Sequence, residues 1–330
     1  MTINPGSKST IRPLDPNDLE AVISIDSQLS GFERRGFFQK RLASAIERPK
    51  EYVYTGLDEN GVLIGFAMAR LTDGEFGQPG ARATLDALGV QQGHQNHGAG
   101  HVLLDEVKAV LRHKGVTELD SEVDWENRSL LNFFGDTGFS IAPSIILRRS
   151  TEEMKIDYET AEDDEDILEI DHSSPDGDQS DALSQDRIPV RSMDRSDLDA
   201  IIRIDAKLSG AERQTFFQRK ARENLDEAGV RVSLVAEMDG YPVGFIMARV
   251  DFGAFGRTIK TAVMDVFGVD PGYQGQGIGH VLMSKLIANL GILQVEDLRT
   301  EVEWSDTALI HYFSSVGFVP AQRMKLAVAL

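Results

Sequence analysis

From Asp194 onward the apolar residues fall first at a helical spacing and then at an alternating one. Leu198, Ile201, Ile202 and Ile204 recur every one to three positions along one face, behind N-cap candidates from Asp194 to Asp197, and predict an amphipathic helix. Ile188-Pro189-Val190-Arg191 ahead of it reads as a short strand. Leu208-Ser209-Gly210 breaks the helix, and a second helical stretch runs through Phe216, Phe217, Arg219 and Lys220. Val232, Leu234 and Ala236 then alternate, turn at Asp239-Gly240 and return through Val243 to Ala248 as a hairpin. A strand from Thr261 to Val269, a helix from Ile278 to about Leu290, a strand from Leu298 to Val302, a helix from Thr307 to Val316 and a strand from Met324 to Ala329 complete the order. Strand, two helices, three strands, helix, strand, helix, strand predicts a mixed sheet flanked by helices.

The same pattern occurs upstream. Arg12 to Leu147 aligns without a gap on Arg191 to Leu326, displaced by 179 positions, with about 50 identities among about 136 aligned residues. Residues that serve shape recur in step: Gly65 and Gly244, Phe66 and Phe245, Gly74 and Gly253, Phe76 and Phe255, Gly138 and Gly317. One fold has been duplicated, and each copy is long enough to bury a core. The expected division is a domain at 9–150, a linker at 151–187 and a second domain at 188–330.

Net charge −19 over 330 residues changes this picture little, because the acidity is local. Between Thr151 and Arg187 stand 15 acidic residues against Lys155 and Arg187. This composition, with Glu162-Asp163-Asp164-Glu165-Asp166 and Ser173-Ser174-Pro175-Asp176-Gly177-Asp178, predicts a solvated spacer, flexible in its second half. No basic stripe speaks for nucleic acid. Cysteine is absent, which excludes disulfides, thiol nucleophiles and thiolate metal sites. The start, Met1 to Ser7, lacks the apolar core of a signal peptide and no run approaches a membrane span, so a cytoplasmic protein without membrane contact is expected. No group of residues has metal-ligand spacing.

The candidate chemistry lies where the third strand of the hairpin region meets the following helix. Gln274-Gly275-Gln276-Gly277-Ile278-Gly279 leaves a strand and opens a helix, so unpaired N–H groups and the positive helix end converge there. A phosphate fits such a point. In the first copy the equivalent is Gln95-Asn96-His97-Gly98-Ala99-Gly100 after Val90. No Gly-Lys-Ser or Gly-Lys-Thr is present for a Walker loop, and the strand order is wrong for a dinucleotide fingerprint. Gly268, and Gly89 in the first copy, interrupt the strand ahead of the loop and predict a bulge or a close backbone approach.

This order of elements and the Gln-x-x-Gly-x-Gly loop resemble the GNAT family of acyl-CoA-dependent N-acyltransferases over nearly the whole chain, as two copies. The resemblance implies an α/β fold of the α+β, mixed-sheet kind: two tandem acyl-CoA N-acyltransferase domains, each a mostly antiparallel sheet with a splayed central strand pair. It implies acetyl-CoA as cosubstrate, its pyrophosphate on the two loops, its pantetheine arm on the backbone of Phe267, Gly268 and Val269, and further contacts at Asp306 and Asn127. Thr300 to Asp306, followed by Val316-Gly317-Phe318, is similar to the segment of ribosomal-protein-alanine acetyltransferases that carries their base, which falls on Glu301 and, in the first copy, on Glu122. Asp265, matched by Asp86, is the second choice.

An amine must be uncharged to attack a thioester, and freeing a Lys amine at pH 7 costs roughly 4.6 kcal/mol against roughly 1.4 for an α-amine, so a base matters most for Lys-like acceptors. The sequence departs from the family at the acid, where Phe313 and Phe134 replace the usual Tyr. Tyr312 is one helical step away, about 100° around the axis, and is expected to point elsewhere. Ser30-Gly31 with Glu33-Arg34, and Ser209-Gly210 with Glu212-Arg213, fall where the family shapes its acceptor cleft, or form Glu–Arg surface pairs. Trp125 and Trp304 read as core or cleft wall. The expected activity is acetyl transfer from the thioester to a primary amine on a small molecule, a protein N-terminus or a Lys. The alternative is a non-catalytic acyl-CoA sensor or interaction protein.

Overall fold

The computed structural model describes residues 9–72, 81–151, 188–226, 228, 230–252 and 260–330, at 251 and 252 the backbone only. The acidic spacer from 152 to 187, the first eight residues, and the matched pairs Gly74/Gly253 and Phe76/Phe255 lie outside the described residues.

The first repeat forms β1 Ser9–Pro13, α1 Leu19–Ser30, α2 Arg35–Glu47, β2 Tyr52–Glu59, β3 Val62–Leu71, β4 Arg82–Val90, α3 Ala99–His113, β5 Glu118–Asp124, α4 Arg128–Asp136, β6 Ser140–Ile141 and β7 Ser144–Ser150. The second forms β8 Val190–Ser192, α5 Leu198–Ser209, α6 Gln214–Ala221, β9 Leu234–Met238, β10 Tyr241–Phe252, β11 Lys260–Val269, α7 Ile278–Ile292, β12 Asp297–Glu303, α8 Thr307–Ser315, β13 Val319–Pro320 and β14 Arg323–Ala329. The expected order holds, with β6 and β13 added; two residues are too few to show a period. A π-turn, Arg222–Asp226, extends α6.

Local chemistry explains the helix ends. Asp15 and Asp194 head capping boxes with Asp18 and Asp197. Gly31 and Gly210 close α1 and α5 at φ 78 and 72, a left-handed position that glycine takes without a Cβ clash. Arg34 is buried and forks onto Asp26 of α1, as Arg213 does onto Asp205 of α5, while Glu33 pairs at the surface with Arg35 at 2.8 Å.

Two seven-stranded sheets result, in the orders β1-β2-β3-β4-β5-β14-β6 and β13-β7-β12-β11-β10-β9-β8. Each is antiparallel except at β4–β5 and β11–β12. The repeats exchange their last long strands. β14 pairs with β5 along its whole length, Arg323↔Asp124 to Ala329↔Glu118, and β7 pairs with β12 from Ser144↔Glu303 to Ser150↔Asp297. The cores follow the exchange. Leu326 packs in the core of the first repeat with Leu103, Leu119 and Phe134, and Leu147 in that of the second with Leu282, Leu298 and Phe313. The sequence repeats and the sheets therefore have different boundaries. Ile146 and Leu147 alternate as Lys325 and Leu326 do, so either strand could close either sheet, and periodicity cannot choose.

Candidate functional site

The parallel pairs are short. β4 and β5 keep register only from Arg82↔Glu118 to Thr84↔Asp120, and β11 and β12 from Thr261↔Asp297 to Val263↔Arg299. Beyond these points the strands diverge. Ser121 Oγ donates to Leu85 O and Thr300 Oγ to Met264 O, each at 3.1 Å, so one hydroxyl fastens the apex of each opening. Past the apex, β4 and β11 are paired on one edge only, which leaves backbone groups of Phe267 to Val269 facing the gap.

A bulge sits just beyond each apex, but not at the glycine. The register steps from Ala69↔Leu85 to Met68↔Ala87, and from Ala248↔Met264 to Met247↔Val266, so Asp86 and Asp265 are the extra residues. Gly89 and Gly268 stay in register and serve close approach: a Cβ at Gly89 would lie 2.7 Å from the Phe66 ring, and one at Gly268 2.9 Å from that of Phe245. The bulge turns both Asp side chains inward, where they are fully buried. Asp86 takes Arg70 and Arg41 at 3.3 and 3.4 Å; Asp265 takes Arg249 and, at 3.3 Å, Lys220.

At the mouth of the openings the two loops share one conformation. Gly275 and Gly277 have φ 76 and 79; Asn96 and Gly98 have φ 61 and 89. Asn tolerates the left-handed region better than most residues, so the first loop keeps its shape at a modest cost. Gln274 Nε2 donates to Val269 O at 3.2 Å and Gln95 Nε2 to Val90 O at 2.9 Å, which fixes each loop on its own strand. The Val281 amide closes on Gly277 O and that of Val102 on Gly98 O, leaving the preceding amides, those of Gly275 to His280 and of Asn96 to His101, at an open helix start. Asp306 and Asn127, expected at the cosubstrate, cap α8 and α4 by accepting from the amides of Leu309 and Leu130 at 2.9 and 3.0 Å.

Tyr312 reverses its expectation. Phe313 enters the core, while Tyr312 stacks on Phe267 at 5.2 Å and 7° and sets its hydroxyl 2.9 Å from where a Cβ on Gly279 would be. That hydroxyl is buried without a hydrogen-bond partner, and burial raises its pKa. In the first repeat Phe133 occupies this place against Gly100.

Glu122 and Glu301 come together with charges from both repeats. Arg299 pairs with Glu122, and Arg323 reaches it at 3.4 Å. Lys325 Nζ lies 2.9 Å from Glu301 and 3.0 Å from Asp120, while Ser144 donates to Glu301 at 2.7 Å and Thr84 to Asp120 at 2.7 Å. Burial alone would raise the Glu122 carboxyl, but Arg299, Arg323 and Lys325 hold it at about 2. Burial pushes Asp120 up to about 6; Glu301 adds to the rise and Lys325 opposes it. Trp125 and Trp304 are half-exposed. Asp120, Arg299 and Lys325 were missed in the sequence. The opposite charges at matching positions 120 and 299 were the available signal.

These shifts give a pH test. Asp120 holds its proton in the folded chain and loses it in the unfolded chain between about pH 4 and 6, so it should lower unfolding free energy by about 1.4 kcal/mol per pH unit there. Glu122 acts in the other direction and lower down, its stabilisation being lost as pH falls from about 4.5 through 2. Urea midpoints of wild type and Asp120→Asn should therefore shift against each other across pH 4 to 6, wild type losing ground as pH rises. A constant difference would rule out the raised Asp120 carboxyl.

Among the described residues no helix is long and apolar enough to cross a membrane, and no cluster could hold a metal ion. An uncharacterized N-acetyltransferase, ycf52, of Gracilaria tenuistipitata var. liui is 29% identical over 103 residues, 31% of this chain and 52% of that protein. A mycothiol acetyltransferase of Propionibacterium freudenreichii subsp. shermanii is 33% identical over 84 residues, 26% of each chain. The chain thus spans about half of one relative and a quarter of the other. A tandem GNAT protein from the clavulanic acid biosynthesis pathway superposes with TM-score 0.61 at 14% identity, covering 98% of both chains. The pattern of the acetyltransferase (GNAT) family matches residues 20–139 and again 198–318, and with both openings and both loops in place this chain belongs to that family, as two tandem GNAT domains.

Proposed function

We propose that this protein is an acetyl-CoA-dependent N-acetyltransferase that moves the acetyl group directly from the thioester to a primary amine. The supporting observation is the loop with two left-handed positions at the start of α7, opening onto the one-edged end of β11. Its residues fit a pyrophosphate: amides at the helix start, no side chain at Gly275 and Gly277, and 4 Å of open space around a Cβ built on Gly275. Acetyl-CoA would be held by Gln274 to Gly279 and by the backbone of Phe267 to Val269, with the first loop, Gln95 to Gly100, as a second such site. The two relatives, named as acetyltransferases, support the reaction class.

Of the three carboxylates considered as base, Glu301 is the one we carry forward. Glu122, held at about 2 between two guanidiniums, has little affinity for a proton, and Asp265 is committed to Arg249 and Lys220. Glu301 shares its single ammonium partner with Asp120. Tyr312, protonated at neutral pH and near the loop, is the candidate for the departing thiolate. The second reading, a sensor without turnover, is favoured by the burial of both Glu residues in ion pairs, Glu122 with Arg299 of the other repeat and Glu301 with Lys325 of its own.

Release of free thiol from acetyl-CoA with a panel of amines distinguishes the two readings: binding without turnover on any amine supports the sensor. For the cradle, Gly277→Asp should weaken acetyl-CoA binding more than about tenfold by calorimetry, by adding a like charge beside the pyrophosphate. Gly277→Asn carries the same backbone cost without the charge and should bind more tightly than the Asp variant. Equal affinity of wild type and both variants would place the pyrophosphate elsewhere. The full chain is required, because a fragment starting at 188 lacks β7.

A further inference from the structure

A cavity of about 270 Å³ lies between the repeats, bounded by α2 on one side and by β10 and the π-turn on the other. Among the described residues its wall carries the cations Lys40, Arg41, Arg48, Arg70 and Arg249 and the carboxylate Glu223. Arg70 and Arg249 hold matching positions in the two repeats, so the cavity straddles the relation between them. Each is anchored from behind by the bulge aspartate of its own sheet, Arg70 on Asp86 and Arg249 on Asp265, and Arg41 shares Asp86. Arg41 also lies over the Phe37 ring at 5.4 Å, and Arg48 lies over Tyr52 at 5.9 Å and 3.2 Å from Glu51. These anchors orient the guanidinium groups before any ligand arrives.

A confined wall in which cations outnumber carboxylates among the described residues focuses a field that draws negative charge. Guanidinium forks match carboxylate and phosphate oxygens in pairs. Phe37, Val230 and Val250 add apolar wall, and the volume suits a small organic molecule rather than a polymer. We propose that this cavity binds a small organic anion between the repeats through a carboxylate or phosphate group. The site is separate from the glycine loops, so it stands whether or not the chain transfers acetyl groups.

Calorimetry on the full chain, with acetyl-CoA saturating so that the loops are filled, tests this with citrate and inorganic phosphate as separate probes. At least one probe should bind saturably, more weakly as salt rises. Arg48→Gln and Lys40→Gln should each weaken it by about tenfold, the loss of one charge-assisted contact, with acetyl-CoA affinity unchanged. Glu51 keeps Arg222 at 2.8 Å when Arg48 is replaced, and Lys40 is exposed, so both variants should fold. Citrate alone binding assigns a carboxylate ligand, and phosphate alone a phosphorylated one. Saturable binding of neither, or undiminished binding in both variants, overturns the proposal.

Discussion

Glu301→Gln should lower kcat/KM by about 10²-fold or more near neutral pH while leaving acetyl-CoA affinity nearly unchanged, because only proton removal from the amine is lost. The defect should shrink as pH rises. At alkaline pH more of the acceptor is already uncharged, so a missing base costs less, and a Lys-like amine should show this rescue over a wider range than an α-amine. The structure adds a control. Glu301 is also a buried partner of Lys325 and Ser144, so the substitution could act by loosening the junction of the repeats. Loosening would lower stability and rate together at every pH, without the rescue. Glu122→Gln leaves Arg299 and Arg323 without their shared carboxylate and should show that second signature, a loss of stability with a rate defect independent of pH. A Glu301→Gln enzyme with wild-type rate at every pH would remove Glu301 from the mechanism.

The order of elements and the loops were legible because both depend on local pattern: the 3.6-residue period of α3 and α5, the alternation of β9 and β10, and glycine where φ is positive. The position of the bulge was less so. Gly268 signals close approach to Phe245, while the extra residue is Asp265, whose charge on a buried strand was read as a candidate base rather than as the mark of an irregular register. Tyr312 was misjudged because the family places its Tyr at position 313, and here Phe313 has taken the core position that the 3.6-residue period assigns to it. The strand exchange was not legible at all. It concerns which of two equivalent strands closes which sheet, and that choice rests on side chains far apart in sequence, such as Lys325 between Asp120 and Glu301.

Removing β14, by ending the chain at Gln322, should unfold the first repeat rather than the second. The truncated chain keeps every strand of its own carboxyl-terminal sheet, since β7 supplies the place beside β12. It loses the strand between β5 and β6, together with Leu326 from the first core and Lys325 from between two carboxylates. Breaking a buried pair by removing one partner costs about 3 to 5 kcal/mol, comparable with the whole stability of many domains. Lys325→Met keeps the strand and isolates that charge contribution; its urea midpoint should fall accordingly at pH 7, where both Asp120 and Glu301 lose their ammonium. Hydrogen exchange locates the damage in the truncated chain. Amides of β5 and β6 should lose protection, while those of β11 and α7 keep it and acetyl-CoA still protects the second loop. Lost protection at β12 with β5 intact would mean that each repeat closes its own sheet, and the exchange would be refuted.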